Sequence, residues 1–578
     1  MKKQTFKRIL LYTKPYRAQL VAACLAALAT VFCTLLGPVI IGRAIDEIIG
    51  FQNVNFAAVA QNLGLLLITV LLAAASQWSM GVYTRKISAF VARDMREAAF
   101  ENLNRTPLQF IDSHAHGDII SRMVNDADLV SDGILQGLTQ LLPGICTIVG
   151  TLAVMAVLNP LIAIVVICVT PISIVFARFI AKRTTKFFKQ QSAAQGALSG
   201  LVNESIAGQA VIQAFDGQQK TFDAFDAISD TLFETGLKSV FFSSVTNPGT
   251  RFVNAIVYAA VGVIGAVSVV LGHSSVGQLS CFLTYANQYT KPFNEVTGVL
   301  TQLQNAFASA ERLFFVIDAE NENPDAENAL APTTCTGCVD IEQVAFRYVP
   351  EIPLIDNFNL HVAPGQRVAI VGPTGCGKTT LINLLMRFYD VTSGKIIVDG
   401  MPIQRVKRQT LRGFYGMVLQ ETWLKNASIR ENIAYGKPGA TMDEIKAAAK
   451  AAYAHSFIKR LPQGYDTVIG TGEGNLSAGQ KQLLCIARSM LCQPDMLILD
   501  EATSSIDTRT EMLIQKAFET LMHGHTSFVV AHRLSTIETA DVILVMKAGH
   551  IIEQGTHQDL LAKKGFYANL YQSQFAME

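Results

Sequence analysis

Six apolar runs in the first three hundred residues are each long enough to cross a bilayer, and they constrain the fold more than any other feature. They cover approximately 18–42, 57–83, 136–158, 161–181, 246–271 and 277–300. About 20 mostly apolar residues suffice for a spanning helix. The 578-residue chain is 50% hydrophobic and 16% charged, with a mean hydropathy of +0.31. That balance is too apolar for an ordinary soluble protein of this size. Turns at Asn159-Pro160 and at "GHSSV" (272–276) separate the third run from the fourth and the fifth from the sixth.

Two other connections are roughly 50–60 residues long, polar and patterned as helix, through "RKISAFVARDMREAAFENLNR" and "KRTTKFFKQQSAAQGALSGLVNESIAG". Each reads as a helix pair that carries the membrane helices far beyond the lipid. Lysine and arginine set the orientation. Lys2, Lys3, Lys7, Arg8, Lys14 and Arg17 precede the first run, Arg85, Lys86, Arg93, Arg96, Arg105 and Arg122 lie in the first long segment, Lys182, Arg183, Lys186, Lys189, Lys220 and Lys238 lie in the second, and the short loops hold only Arg43. That distribution of lysine and arginine places both termini and both long segments in the cytoplasm of a cell-membrane protein. A cleaved signal peptide is excluded by the length of the first run and the lack of a small-residue cleavage site.

From about residue 318 the composition changes. "DAENENPDAENALAPTTCTGC" is acidic and proline-bearing, the chemistry of a linker over 318–338, and the strand-like and helical runs of 339–578 read as a soluble α/β domain. The fold class is therefore a membrane protein with a six-helix transmembrane domain (1–317) and a cytoplasmic α/β P-loop domain (339–578).

Within that second domain "VGPTGCGKTT" (371–380) fits the GxxxxGK[ST] phosphate loop through Gly372, Gly377, Lys378 and Thr379. Backbone N–H groups of Thr374, Gly375, Cys376, Gly377 and Thr380 are suited to cradle phosphates. Lys378 bridges the β- and γ-phosphates and Thr379 ligates Mg²⁺. An apolar strand leads in and a helix leads out, so the helix dipole also favours the anion. "MLILDEATSSID" is a buried strand that delivers Asp500, a water-mediated Mg²⁺ ligand, and Glu501, which polarises the attacking water. "NLSAGQKQLLCIARSML" (475–491) opens an amphipathic helix whose N-terminus suits an anion, although the local loop has already taken the local phosphate.

These motifs resemble those of the ATP-binding cassette exporters, in the half-transporter arrangement of six membrane helices followed by one nucleotide-binding domain. The resemblance covers essentially the whole chain. It assigns Tyr348 in "VAFRY" to adenine stacking and Gln420 in "VLQETWL" to the Q-loop that senses Mg²⁺. "LSAGQ" matches the signature through Ser477, Gly479 and Gln480, "SSID" the D-loop through Asp507, and "VVAHRLST" the switch histidine through His532. "FIDSHAHGDIISRMVNDAD" (110–128) and "NESIAGQAVIQAF" (203–215) are similar to the family's two cytoplasmic-loop patterns. The resemblance implies that two cassettes pack head to tail, each ATP lying between one chain's phosphate loop and the other's signature. It implies ATP and Mg²⁺ as cofactors, a second half-transporter as partner, and no nucleic acid. The implied activity is ATP-driven export of an amphipathic small molecule, lipid or peptide. Import of a siderophore-like substrate and an ATP-gated channel or regulatory subunit are the alternatives. The family's usual LSGGQ carries Ala478 at its third position here, and with Glu501 intact that departure favours a heterodimer with a related half-transporter, a homodimer being the alternative.

The remaining features read more plainly. Cys335 and Cys338 form a CxxC without an adjacent second ligand pair, and the other cysteines suggest no disulfide framework. His114, His116, His523 and His525 read as solvated. Arg251, Asn254, Asn287 and Lys291 interrupt apolar spans, where polar groups face a cavity, a partner helix or the headgroups.

Overall fold

The computed structural model describes residues 2–48, 54–349, 351–420, 422–470, 476–500, 506–531 and 534–574. Contacts divide the chain into two units. One comprises Met1–Asn104 and His114–Ala319, the other Arg105–Ser113 and Glu320–Glu578.

The first unit is helical. Its elements are α1 (Lys2–Thr13), α2 (Arg17–Asp46), α3 (Phe56–Leu103), a helical run over His116–Leu158, and long helices over Pro160–Ala207, Gln218–Val270 and Val276–Ile317. Among the described residues three helices are long and apolar enough to cross a membrane: Gln4–Asp46, Phe56–Leu103 and His116–Leu158. The other three expected spans fall within the last three long helices, where several side chains, including 169–178, lie outside the described residues.

Helices of 48 and 53 residues extend about 70–80 Å at about 1.5 Å per residue. A hydrocarbon core of about 30 Å accounts for less than half of that. The rest of each helix runs through polar sequence, at the C-terminal end of α3 and the N-terminal end of Gln218–Val270. Where α3 leaves its most apolar part, Ile87, Val91, Met95 and Ala99 repeat every four residues and are buried with Ala127, Val130, Leu313 and Phe314. At the other end of the unit Asp46 accepts hydrogen bonds from Gly277 N (2.8 Å) and Ser275 Oγ (2.7 Å), which fixes α2 to the start of Val276–Ile317.

The run His116–Leu158 contains a π-helical turn at Arg122–Asp126. Asp126, buried at its end, takes a bidentate bond from Arg312 Nε (2.8 Å) and Nη2 (2.5 Å). A π-turn inserts one residue into the helical period and so re-aims the side chains C-terminal to it.

The second unit holds two sheets. Antiparallel strands β1 (Val339–Phe346), β2 (Ile355–Val362), β4 (Ser393–Val398) and β5 (Met401–Pro402) order as β2-β1-β4-β5. Strands β3 (Arg367–Val371), β6 (Tyr415–Val418), β7 (Met496–Asp500), β8 (Thr526–Val530), β9 (Val542–Lys547) and β10 (His550–Gly555) order as β10-β9-β3-β8-β7-β6. All neighbours in the second sheet are parallel except β9 and β10. Its central strands read "RVAIV", "MLILD" and "TSFVV", near-continuous apolar runs, because helices cover both faces of a parallel sheet.

The acidic stretch read as a linker packs on this unit. Arg408, almost wholly buried, bonds Asp325 Oδ1 (2.8 Å) and lies 3.2 Å from Glu322, while Arg412 bonds Glu322 Oε1 (2.6 Å). Leu330 bridges to Val406 as a short parallel pair. The carboxylates that resemble linker chemistry in sequence are the partners of arginines some eighty positions downstream.

Candidate functional site

The phosphate loop bridges β3 and the helix Lys378–Leu385. Gly375 and Gly377 have φ of +80° and +103°, and a Cβ on Gly372 would stand 2.2 Å from the carbonyl oxygen of Met546, so the close strand β9 admits only glycine there. Lys378 Nζ donates to Gly372 O (2.7 Å) and Pro373 O (3.1 Å), which holds the ammonium at the mouth of the loop. Thr374, Gly375 and Thr379 are exposed there, whereas Cys376, Gly377 and Thr380 are buried beneath.

Parallel pairing brings the other motifs to the same edge. Strands β3, β6, β7 and β8 run in one direction, so their carboxyl ends align. Gly372 follows β3, Gln420 follows β6 and is exposed, and Asp500 ends β7 in register with Val530 of β8. This edge is where open α/β sheets bind ligands. Glu501 and His532 lie outside the described residues, but their chain neighbours Asp500 and Ala531 stand at that edge.

Tyr348, about 39% exposed, meets Phe346 and Tyr389 edge to face at 4.8 and 5.1 Å, and its hydroxyl donates to Thr380 Oγ1 at 3.2 Å. An exposed ring tied to the phosphate-loop helix offers a flat face to a base. Tyr389, absent from the sequence-based set, donates to Asp112 Oδ2 at 2.5 Å. Burial pushes the Tyr389 hydroxyl up, and the bond to Asp112 adds to the rise. Asp112 ends the short helix Leu108–Asp112, and Leu108 packs on the sheet core. The sequence signal for Tyr389 was only an aromatic pair, "FYD", at the end of the phosphate-loop helix.

The signature region is built differently. Ser477 caps the helix Ala478–Cys492, with Gln480 N donating to its Oγ (3.3 Å) and Ser477 N donating to Gln480 Oε1 (3.0 Å). Gly479 is buried, and a Cβ there would meet Thr510 Cγ2 at 2.4 Å. Ala478, one residue earlier, is exposed. Leu476 belongs to a core that Leu497, Leu499 and Val529 line on one face of the six-stranded sheet, whereas Cys376 and Ile382 belong to the core that Ile498 and Phe528 line on its other face. Asp507 caps Thr508–Met522 by accepting from Thr510 N (3.0 Å), a bond that holds its carboxyl below the usual range.

The other sequence candidates divide. His114 is packed edge-on against Phe315 rather than simply solvated. Arg251 and Asn287 are exposed, and the side chains of Asn254 and Lys291 lie outside the described residues.

Comparison with known proteins agrees with this geometry. The family described as the ABC transporter transmembrane region matches residues 20–293, and the ABC transporter family matches 355–504. A fatty acid ABC transporter ATP-binding/permease protein of Mycobacterium bovis is 40% identical, covering 95% of this chain and 86% of the relative. An ATP-dependent lipid A-core flippase of Desulfotalea psychrophila is 33% identical, covering 99% of this chain and 100% of the relative. The solved structure of a bacterial Atm1-family ABC exporter with ATP bound superposes with a TM-score of 0.78 at 28% identity, covering 97% of this chain and 98% of that one. With its membrane unit, phosphate loop and signature helix in exporter order, this multi-pass chain belongs to the ABC transporter family as an exporter-type half-transporter that binds ATP and couples its hydrolysis to transport.

Proposed function

We propose that the chain exports an acyl-chain amphiphile with an anionic headgroup, working as one half of a heterodimer in the cytoplasmic membrane with both termini in the cytoplasm. The observation that carries the two-chain reading is the separation within one cassette. The phosphate loop packs through Cys376 into the core on one face of the six-stranded sheet, and the signature serine stands exposed at the start of a helix that packs into the core on the other face. A second cassette packed head to tail supplies the missing signature to each nucleotide.

In that arrangement Tyr348 stacks on adenine, and Lys378 and the loop N–H groups hold the phosphates. Thr379, Gln420 and Asp500 are oxygen donors suited to Mg²⁺, which supplies charge neutralisation at the phosphates. Glu501 polarises the attacking water and His532 contacts the γ-phosphate. Ser477, Gly479, Gln480 and Asp507 serve the nucleotide of the opposite chain. Loss of the γ-phosphate weakens closure, and the helix Leu108–Asp112 passes that change toward the membrane helices joined to it in sequence.

The substrate class rests on two supports. Relatives carry fatty acid and lipid A-core in their names. Arg251 also places an exposed cation within the apolar stretch of Gln218–Val270. Such a cation inside a membrane segment is costly unless it serves a partner or a headgroup. Fatty acids and lysophospholipids should stimulate ATP hydrolysis by the reconstituted transporter. Arg251→Ala should raise the concentration needed without changing the unstimulated rate. Equal stimulation by acyl alcohols lacking the charge would reject the headgroup assignment.

The heterodimer rests on Ala478. Packing demands glycine at 479 but leaves 478 open to solvent, so the cassette's own fold does not account for the alanine. Its methyl group weakens an approach made by the other chain's nucleotide. Expression of this chain alone and beside a related half-transporter separates the possibilities: a stable homodimer with full, substrate-stimulated hydrolysis would reject the heterodimer.

A further inference from the structure

Cys335 and Cys338 look in sequence like half of a metal site. The fold separates the two thiols and supplies other ligands to one of them. Cys335 packs against the sheet core, where burial pushes its thiol up to about 12. Cys338 instead enters β1 two residues before Asp340, so strand alternation directs both side chains to one face. Asp340 pairs in register with His361 on β2, which adds an imidazole to the same face, while Val339, Ile341 and Val362 turn into the core. His361 Nδ1 lies 2.5 Å from Asp340 Oδ1, Cys338 Sγ lies 3.9 Å from Asp340 Oδ2, and ligand atoms of all three residues fall within 4.8 Å of one another.

We propose that Cys338, Asp340 and His361 form a surface site for a divalent cation of the zinc class, with water completing the coordination. Sulfur, imidazole nitrogen and carboxylate oxygen together make a borderline-soft donor set that favours zinc over magnesium. Metal–ligand bonds of about 2.0–2.3 Å in a tetrahedron hold donor atoms roughly 3.3–3.7 Å apart. The sulfur–carboxylate separation is close to that. The imidazole must withdraw from Asp340 by about 1 Å, which a side chain 69% exposed can do by rotation.

The backbone under the site is already held. Asp399 accepts from Cys338 N (2.9 Å), Thr336 N (2.6 Å) and Thr336 Oγ1 (2.6 Å), so it fixes the loop that presents the sulfur. On binding, the Cys338 S–H bond breaks and its proton leaves to solvent as the sulfur–metal bond forms, with no change of oxidation state. The bound ion then ties the lead-in of β1 to β2. It shares no residue with the Mg²⁺ ligands proposed at the phosphate loop. A cross-strand Asp340–His361 ion pair alone gives Cys338 no role, and the thiol separates the two readings.

The test is titration of the purified full-length protein, free of nucleotide and Mg²⁺, with Co²⁺, followed in the near-ultraviolet absorption of a cobalt–thiolate bond. The expected result is a saturable band in the wild type and in Cys335→Ser that Zn²⁺ bleaches. It should be lost in Cys338→Ser and reduced or lost in His361→Ala, with circular dichroism reporting that each variant is folded. Absence of the band from the wild type, its full retention in Cys338→Ser or in His361→Ala, or its loss in a folded Cys335→Ser would overturn the assignment.

Discussion

Tyr389 and Asp112, 277 positions apart in sequence, share a hydrogen bond of 2.5 Å. The Tyr389 ring also stands edge-on to Tyr348, whose hydroxyl reaches Thr380 beside the phosphate loop. A continuous set of contacts thus runs from the helix Leu108–Asp112 to the phosphate-loop helix. Continuity alone does not prove coupling, and mutation supplies the physical test. Tyr389→Phe deletes only the donor. A hydrogen bond to a charged group contributes about 1.5–3 kcal/mol. The expected outcome is nearly unchanged ATP affinity with loss of substrate stimulation of ATP hydrolysis, measured by nucleotide titration and phosphate release. Stimulation equal to wild type would remove the coupling role.

Lys378 and Glu501 should fail in different ways. Lys378→Ala removes the charge that the loop holds beside Gly372 O, so nucleotide binding itself should weaken. Glu501→Gln keeps size and polarity but not the basic carboxylate. It should bind ATP, nearly stop turnover and accumulate a closed cassette dimer, detectable by nucleotide trapping. Near-normal turnover in Glu501→Gln would withdraw its assignment.

Adjacent positions in the signature should respond in opposite senses. Gly479→Ala forces a methyl into Thr510 Cγ2 at 2.4 Å and Ile506 Cγ2 at 3.0 Å. Overpacking of this kind costs about 1–3 kcal/mol and should lower the cassette's melting temperature. Ala478→Gly touches nothing packed, so stability should change by less than about 1 kcal/mol, the helix-propensity difference, while turnover rises. Thermal scans of both variants check the first statement and hydrolysis rates the second.

Asp126 and Arg312 form one polar anchor of the membrane unit. Arg312→Ala leaves a buried carboxylate without its bidentate partner. An unsatisfied charged group of this kind costs more than the about 1–3 kcal/mol of a neutral one. The variant should unfold at lower temperature, yet its cassette should bind ATP as wild type does. Asp126→Asn paired with Arg312→Gln should recover part of the loss, because no uncompensated charge remains. A double variant no more stable than Arg312→Ala would rule out charge burial as the cause.

Local chemistry was legible in the sequence. Apolar runs near twenty residues announced membrane helices, and the spacing of Gly372, Gly377, Lys378 and Thr379 announced a phosphate loop, because both signals arise from neighbours along the chain. Position in space was not. Cys335 and Cys338 sit three residues apart, yet one enters a core and the other joins Asp340 and His361, since strand alternation and cross-strand register decide which side chains meet. The acidic residues at 322 and 325 belong to a stretch with the composition of a linker, and nothing in that composition points to Arg408 and Arg412 as their partners. Asp112 carried no sign of Tyr389. Residue type and spacing encode the backbone's local period, whereas contacts across hundreds of positions depend on which apolar faces pack, and that packing decides where a charge or a hydroxyl finds its partner.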